Sequence, residues 1–244
     1  MARVGKILLL VLVLLILAVI GYQAQNLAMM GWDSVVEYQT PYLTDLPRGN
    51  AAEPLARRVV LVLVDGLRLD ASRNMPRLNE LRQRGADLSV RVGQPSLSYP
   101  SWTVIASGTW QEISGVTTNW YEGEVRVDTI FKAARDAGMP AVVVGGGGWK
   151  KLYGSHLTEF VKVPGPEDEN APPEAWVQMD SDSYRLSTQV LDDYPEGLIL
   201  VYFGGTDELA HLYGGVSSQY LDEVQRVDGY IASWRSDWTR RRTS

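Results

Sequence analysis

The sequence predicts an α/β fold, a mostly parallel central sheet with helices on both faces, preceded by an N-terminal hydrophobic helix. Three observations carry that expectation. Residues 59–64 form a continuous β-branched and Leu run, as expected of a central strand covered on both faces, and residues 197–203 read as a second buried strand. A third run, residues 140–144, follows the amphipathic stretch 127–137. Segments with helical period lie between these runs, and alternating strands and helices build parallel sheets.

The elements follow in order. Arg3 and Lys6 precede an uncharged apolar run, residues 7–20. With Gly21 and Tyr22 it reaches sixteen residues, short of the roughly 20 a spanning helix needs. Residues 1–22 therefore read as a signal anchor or a cleaved signal peptide. The basic flank comes first and Asp33 and Glu37 come after, which places the main domain outside the cytoplasm. The expected location is the cell membrane, single-pass through residues 7–22, or secreted if the segment is cleaved.

Residues 23–56 carry Pro41, Pro47, Gly49, Asn50 and Pro54 without a sustained period, and read as a stalk or linker. The domain spans residues 57–234. Residues 76–84 read as a helix capped by Asn74 and stopped by Gly85, and residues 88–92 as a short strand. Pro100 suits the first turn of a helix closed by Gly108. The four glycines 145–148 form a turn, residues 158–163 a strand, and 164–173 an acidic, Pro-rich loop. Residues 180–193 and 217–234 read as helices. Residues 235–244 lose apolar periodicity and read as an irregular basic tail.

With 244 residues the chain suffices for one α/β domain. Its formal charge of −6 argues against nucleic acid as a partner. No cysteine is present, which excludes disulfides, thiolate metal sites and cysteine nucleophiles.

Candidate functional residues cluster at strand ends. Asp65 closes the first strand in an Asp-Gly turn, where it reads as a metal ligand or as a turn aspartate bonding its own backbone. Ser98, in Pro95-Ser-Leu-Ser98-Tyr-Pro100, reads as a nucleophile beside a helix dipole or as a helix N-cap. Ser96 and Ser101 are rival hydroxyls. Asp207 and His211 share one face at helical spacing, as ligands of one metal or as a surface pair. His156 reads as a surface loop residue. No Walker motif and no Gly-x-Ser-x-Gly elbow occurs.

Taken together these pieces resemble the alkaline phosphatase superfamily, specifically its type I phosphodiesterase/nucleotide pyrophosphatase branch. The carriers are Val62-Leu-Val-Asp65-Gly-Leu-Arg68, Pro95-Ser-Leu-Ser98-Tyr-Pro100, the stretch from Ser107 to Asn119, and Asp207-Glu-Leu-Ala-His211-Leu-Tyr-Gly214. The resemblance implies a metal-dependent phosphoric ester hydrolase with two zinc ions per complete site. Asp65 and Ser98 would serve the metal that activates the nucleophile, and Asp207 and His211 the other. Asn119 matches an asparagine that holds a non-bridging phosphate oxygen. Ser98 stands where the family usually has threonine, and Ser101 and Trp102 where it has Asn-His.

The family supplies three more ligands downstream of His211, and none is found here. The expectation is therefore a chain truncated or frame-shifted after about Ser233, its catalytic competence open. The substrate would be a phosphate-ester small molecule or a lipid-linked compound. Alternatives are a non-catalytic remnant or binding domain of the same fold, and a phosphoethanolamine-type transferase relative.

Overall fold

The computed structural model describes residues 2–42, 56–94, 96–166, 168 and 171–241. Most of the expected stalk (43–55), Pro95 of the serine motif and the last three tail residues lie outside these. A long helix, α1 (Ala2–Val36), leads into β1 (Arg58–Val64), α2 (Leu69–Ser72), α3 (Pro76–Arg82), α4 (Ser98–Ser107), α5 (Gln111–Ser114) and α6 (Ile130–Asp136). Then follow β2 (Ala141–Gly145), α7 (Gly147–Tyr153), β3 (Glu159–Lys162), α8 (Pro173–Asp193), β4 (Gly197–Phe203), α9 (Gly205–Tyr213) and α10 (Ser218–Arg241).

The four strands form one parallel sheet in the order β1-β4-β2-β3. Side chains alternate across it, because successive residues of a strand point to opposite faces. Val142, Val144, Ile199, Val201 and Phe203 join one core with Met75, Val190, Tyr220, Val224 and Val227 from α8, α10 and the α2–α3 junction. Ala141, Val143, Leu198 and Leu200 join the opposite core with Trp102, Phe131, Trp149, Leu152 and Tyr153 from α4, α6 and α7. The α/β expectation holds, with helices on both faces.

Several elements differ from the sequence reading. Strand β1 lies at an edge of this sheet, paired on one side with β4. Its apolar run reports that both faces are covered, and lateral position leaves no mark on a composition. Residues 88–92 form no strand: Leu88, Val90 and Val92 are exposed, and a strand needs a hydrogen-bonding neighbour that the described residues do not give it. Helix α1 continues through residues read as stalk, and α10 stays helical to Arg241 where an irregular tail is expected. The N-cap of α3 is Met75 rather than Asn74, and the first amides of the helix are taken instead by Asp228 of α10, which accepts from Arg77 and Leu78 at 2.9 and 2.8 Å. The glycine run opens α7 instead of forming a plain turn.

Candidate functional site

Parallel register places the ends of β1 and β4 side by side, with Val64 opposite Phe203. The segments that follow them therefore meet. Asp65 leaves β1 in a turn through Gly66, and Asp207 lies in the first turn of α9. This is the carboxyl end of the strands, where parallel α/β sheets bind ligands.

A cleft of about 580 Å³ opens there, lined by Asp65, Gly66, Ser96, Leu97, Ser98, Ser101, Asn119, Asp207, Glu208, His211 and Leu212. Every site residue expected from the sequence lines this one cleft, and so do the rival hydroxyls Ser96 and Ser101.

Asp65 is held by a set of donors. Tyr202 Oη and Trp102 Nε1 both donate to its Oδ2, at 2.8 and 3.2 Å, and the Gly66 amide donates to Oδ1 at 3.1 Å. Thr206 donates to its backbone carbonyl. Carboxylate oxygens carry about four acceptor sites between them, so Oδ1 keeps capacity toward the cleft. The turn reading of Asp65 is present in its bond to the following amide, and the same carboxylate lines the cleft.

The Tyr202 phenol is pushed well above its ordinary pKa, first by burial and then by the Asp65 carboxylate, so it remains a donor at every working pH. Trp102 is fixed by stacking on Trp149, with ring centroids 4.5 Å apart and planes 12° apart. Tyr202 meets Trp102 edge-on at 5.0 Å.

Ser98 is the first residue of α4, and the N-cap position falls on Leu97. The Ser98 hydroxyl makes no hydrogen bond to the described residues, so its role is not capping. The helix start offers an anion less than its position suggests, because Pro100 has no amide hydrogen and the Tyr99 amide donates to Asn119 Oδ1 at 2.9 Å. That bond uses the oxygen end of Asn119 and leaves its NH₂ end for a ligand.

Asp207 has a raised pKa, first from burial and next from the Asp65 carboxylate, with His211 opposing. A carboxylate whose proton affinity is raised by burial and by a neighbouring carboxylate is under an electrostatic strain that a cation relieves. His211 Nε2 lies 3.5 Å from Asp207 Oδ2 and its side chain is 75% exposed. Oxygen and imidazole donors suit zinc or a similar divalent ion in type. In number they fall short of a closed shell, for among the described residues no three His, Asp or Glu side chains gather as a metal site.

Sequence reasoning missed four residues that shape this site. Tyr202 and Trp102 hold Asp65, and Thr206 ties the β1 end to α9. The fourth, Asp180, lies mid-helix in α8 and is fully buried. Its carboxyl accepts the amides of Gly204 and Gly205 at 3.0 Å, capping α9 from another helix. A Cβ on Gly205 would sit 2.7 Å from Asp180 Oδ2, so glycine is what admits this approach. Only for Trp102 was there a sequence signal, its place in the motif following Ser98. His156, expected at the surface, is partly buried, its Nδ1 3.0 Å from Thr129 Oγ1.

The fold and the placement of the cleft define the class, an α/β protein of alkaline-phosphatase-like architecture. The particular family follows from the sequence: residues 59–242 match the model for type I phosphodiesterase / nucleotide pyrophosphatase, and the chain belongs to that family. It is 25% identical over 186 residues to the human GPI ethanolamine phosphate transferase 2, catalytic subunit, a match covering 73% of this chain and 18% of the relative. To GPI ethanolamine phosphate transferase 1 of Emericella nidulans it is 22% identical, over 93% of this chain and 27% of the relative.

Among solved structures, the phosphonoacetate hydrolase of Sinorhizobium meliloti 1021 superimposes with a TM-score of 0.60 at 21% identity, covering 73% of this chain and 53% of that one. Murine ectonucleotide pyrophosphatase / phosphodiesterase 5 in complex with AMP gives 0.53 at 17% identity, covering 76% and 53%. These likenesses show the fold. The chain spans about half of those two structures and 18% and 27% of the two transferases' lengths.

Proposed function

We propose that this chain carries the nucleophile half of a metal-dependent phosphoric-ester site, with Ser98 as the attacking residue. The observation that supports this most is the convergence of Ser98, Asn119, Asp65, Asp207 and His211 on one cleft. Asp65 on one side of the cleft and Asp207 with His211 on the other would supply donors, too few as they stand for a closed shell, to divalent cations, zinc by donor type. Such charge would favour an ionised Ser98.

Ser98 Oγ forms a new P–O bond in line with the departing ester oxygen, whose bond breaks. The hydroxyl proton is lost and the leaving alkoxide gains one. The Asn119 amide donates to a non-bridging oxygen through the attack, and Trp102 and Tyr202 keep Asp65 fixed. Ser98 then passes its phosphoryl group, with any second ester substituent still attached, to water in a hydrolase or to an alcohol in a transferase. The sequence matches to ethanolamine phosphate transferases favour transfer as the second reading. That no three such donors gather among the described residues favours a third, a binding domain without turnover.

Helix α1 is proposed as a membrane span, with the main domain on the extracytoplasmic side. Residues 3–36 form a helix long and apolar enough to cross a membrane. The test is the full chain with zinc and bis(p-nitrophenyl) phosphate, followed by mass spectrometry for Ser98 carrying the p-nitrophenyl phosphate left after one p-nitrophenolate departs. An adduct lost in Ser98→Ala supports the proposal. Zinc binding without any such adduct or turnover would leave the binding-domain reading standing and sink the enzyme.

A further inference from the structure

The end of α1 does not project away from the domain. Trp32 packs against Trp120 with ring centroids 4.9 Å apart. Thr117 donates to the Val35 carbonyl at 2.5 Å, and Tyr38 and Thr40 both donate to the Glu112 carbonyl, at 3.1 and 2.8 Å. The apolar helix is thus fastened to one face of the domain, residues 110–120.

That face is aromatic and open to solvent. Trp32, Tyr42, Trp110 and Trp120 are each about half exposed, at 48, 55, 52 and 56%. Indoles and phenols with one apolar and one polar end collect at the water–lipid boundary. Counting from Ile7, Trp32 lies about 37 Å along the helix, and at the usual tilt of about 20° that is about 5 Å beyond about 30 Å of hydrocarbon, within the headgroup layer. The patch continues the span in space and lies at the depth where such residues settle.

The patch also borders the cleft. Asn119, which lines it, precedes Trp120 in sequence. Trp110 packs over Gly93, and Gln111 donates to the Gln94 carbonyl at 3.0 Å, bracing the segment that leads to Ser96 and Ser98.

We infer that Trp32, Trp110 and Trp120 form a membrane-surface contact that holds the mouth of the Ser98 cleft at the lipid headgroup layer. This rests on the reading of α1 as a membrane span. The contact is apolar in origin, since a net charge of −6 gives no general attraction to anionic lipid. A site held there meets phosphate esters carried on lipids ahead of those dissolved in water.

The chain has no cysteine, so one introduced cysteine gives one labelled site. The full chain is reconstituted in phosphatidylcholine/phosphatidylethanolamine vesicles with a nitroxide at Leu14→Cys, Trp110→Cys, Val92→Cys or Glu196→Cys. Val92 neighbours the Gly93 under Trp110 and leaves all tryptophans intact, so it reports even if Trp110→Cys weakens the fold. Glu196 precedes β4, at the end of the sheet opposite the cleft. The label at Leu14 is expected deep in hydrocarbon. Those at 110 and 92 are expected at headgroup depth, with collisions with a water-soluble nickel complex reduced severalfold relative to 196. A deep Leu14 label with 110 and 92 as wet as 196 overturns the surface contact and leaves the span intact. A wet Leu14 label overturns both.

Discussion

The backbone at Gly66 runs so close to Asp207 that a Cβ on residue 66 would meet the Asp207 Cα at 2.5 Å. Gly66 also has φ of 65°, in the left-handed region. The contact locks the end of β1 to the start of α9 and sets the two carboxylates of the cleft in each other's field. Gly66→Ala should cost roughly 2–5 kcal/mol, combining left-handed strain with overpacking. Urea midpoints measure it, and a change under 1 kcal/mol would mean that the two segments part easily.

Tyr202 and Trp102 converge on the same oxygen of Asp65. Removing either donor while keeping an aromatic side chain, by Tyr202→Phe or by the smaller-ringed Trp102→Phe, should loosen the ligand. Outer-shell losses of this kind weaken metal affinity about 10–100-fold. Zinc titration calorimetry on the full chain reads it directly. Unchanged affinity in both variants would remove Asp65 from the metal set.

Asn119 takes the Tyr99 amide with its oxygen and keeps its NH₂ for the cleft. An aspartate there would still accept that amide but would face a phosphate with a negative charge. Asn119→Asp should lower turnover about 10²–10³-fold, the usual loss for one oxyanion donor. Its melting temperature should stay close to that of the parent. Full activity in this variant would exclude Asn119 from the reaction.

Asp180 and Glu223 are fully buried and feel each other's charge, and Glu223 Oε1 has no hydrogen-bond partner among the described residues. Burial, followed by the charge of Glu223, drives the Asp180 carboxyl well above its ordinary range. Burial raises Glu223 too, with Arg226 opposing. An acid whose pKa is higher folded than unfolded keeps its proton longer when folded. Stability is then greatest at low pH and falls as pH rises from the ordinary carboxylate range through the raised value.

Asp180→Asn keeps an acceptor for Gly204 and Gly205 and offers Glu223 a permanent donor, so it should flatten that fall. Asp180→Ala loses the cap and should cost about 1–3 kcal/mol across the range. Chemical denaturation from about pH 4 to pH 8 separates the two. Parallel pH curves for parent and Asp180→Asn would show that the pair shares no proton.

Legibility in the sequence was uneven. The strands ending at Val64 and Phe203 were readable because burial on both faces demands continuous apolar runs. Their order was not, and β1 lies at an edge despite its interior composition. Residues 88–92 alternate as a strand does, yet pairing belongs to the neighbour and not to the segment. The order of Asp65, Ser98, Asn119, Asp207 and His211 along the chain marked the site, since motif spacing survives where overall identity is low.

The sequence by itself determined the α/β class, the family likeness, the apolar N-terminal segment and the residues that line the cleft. Only the tertiary structure decided what holds them. Tyr202, Trp102, Thr206 and Asp180 act across 24 to 141 positions of chain. Local pattern records which face of an element is apolar. It does not record which distant donor a buried carboxylate meets, because that is set by how packed elements bring their ends together.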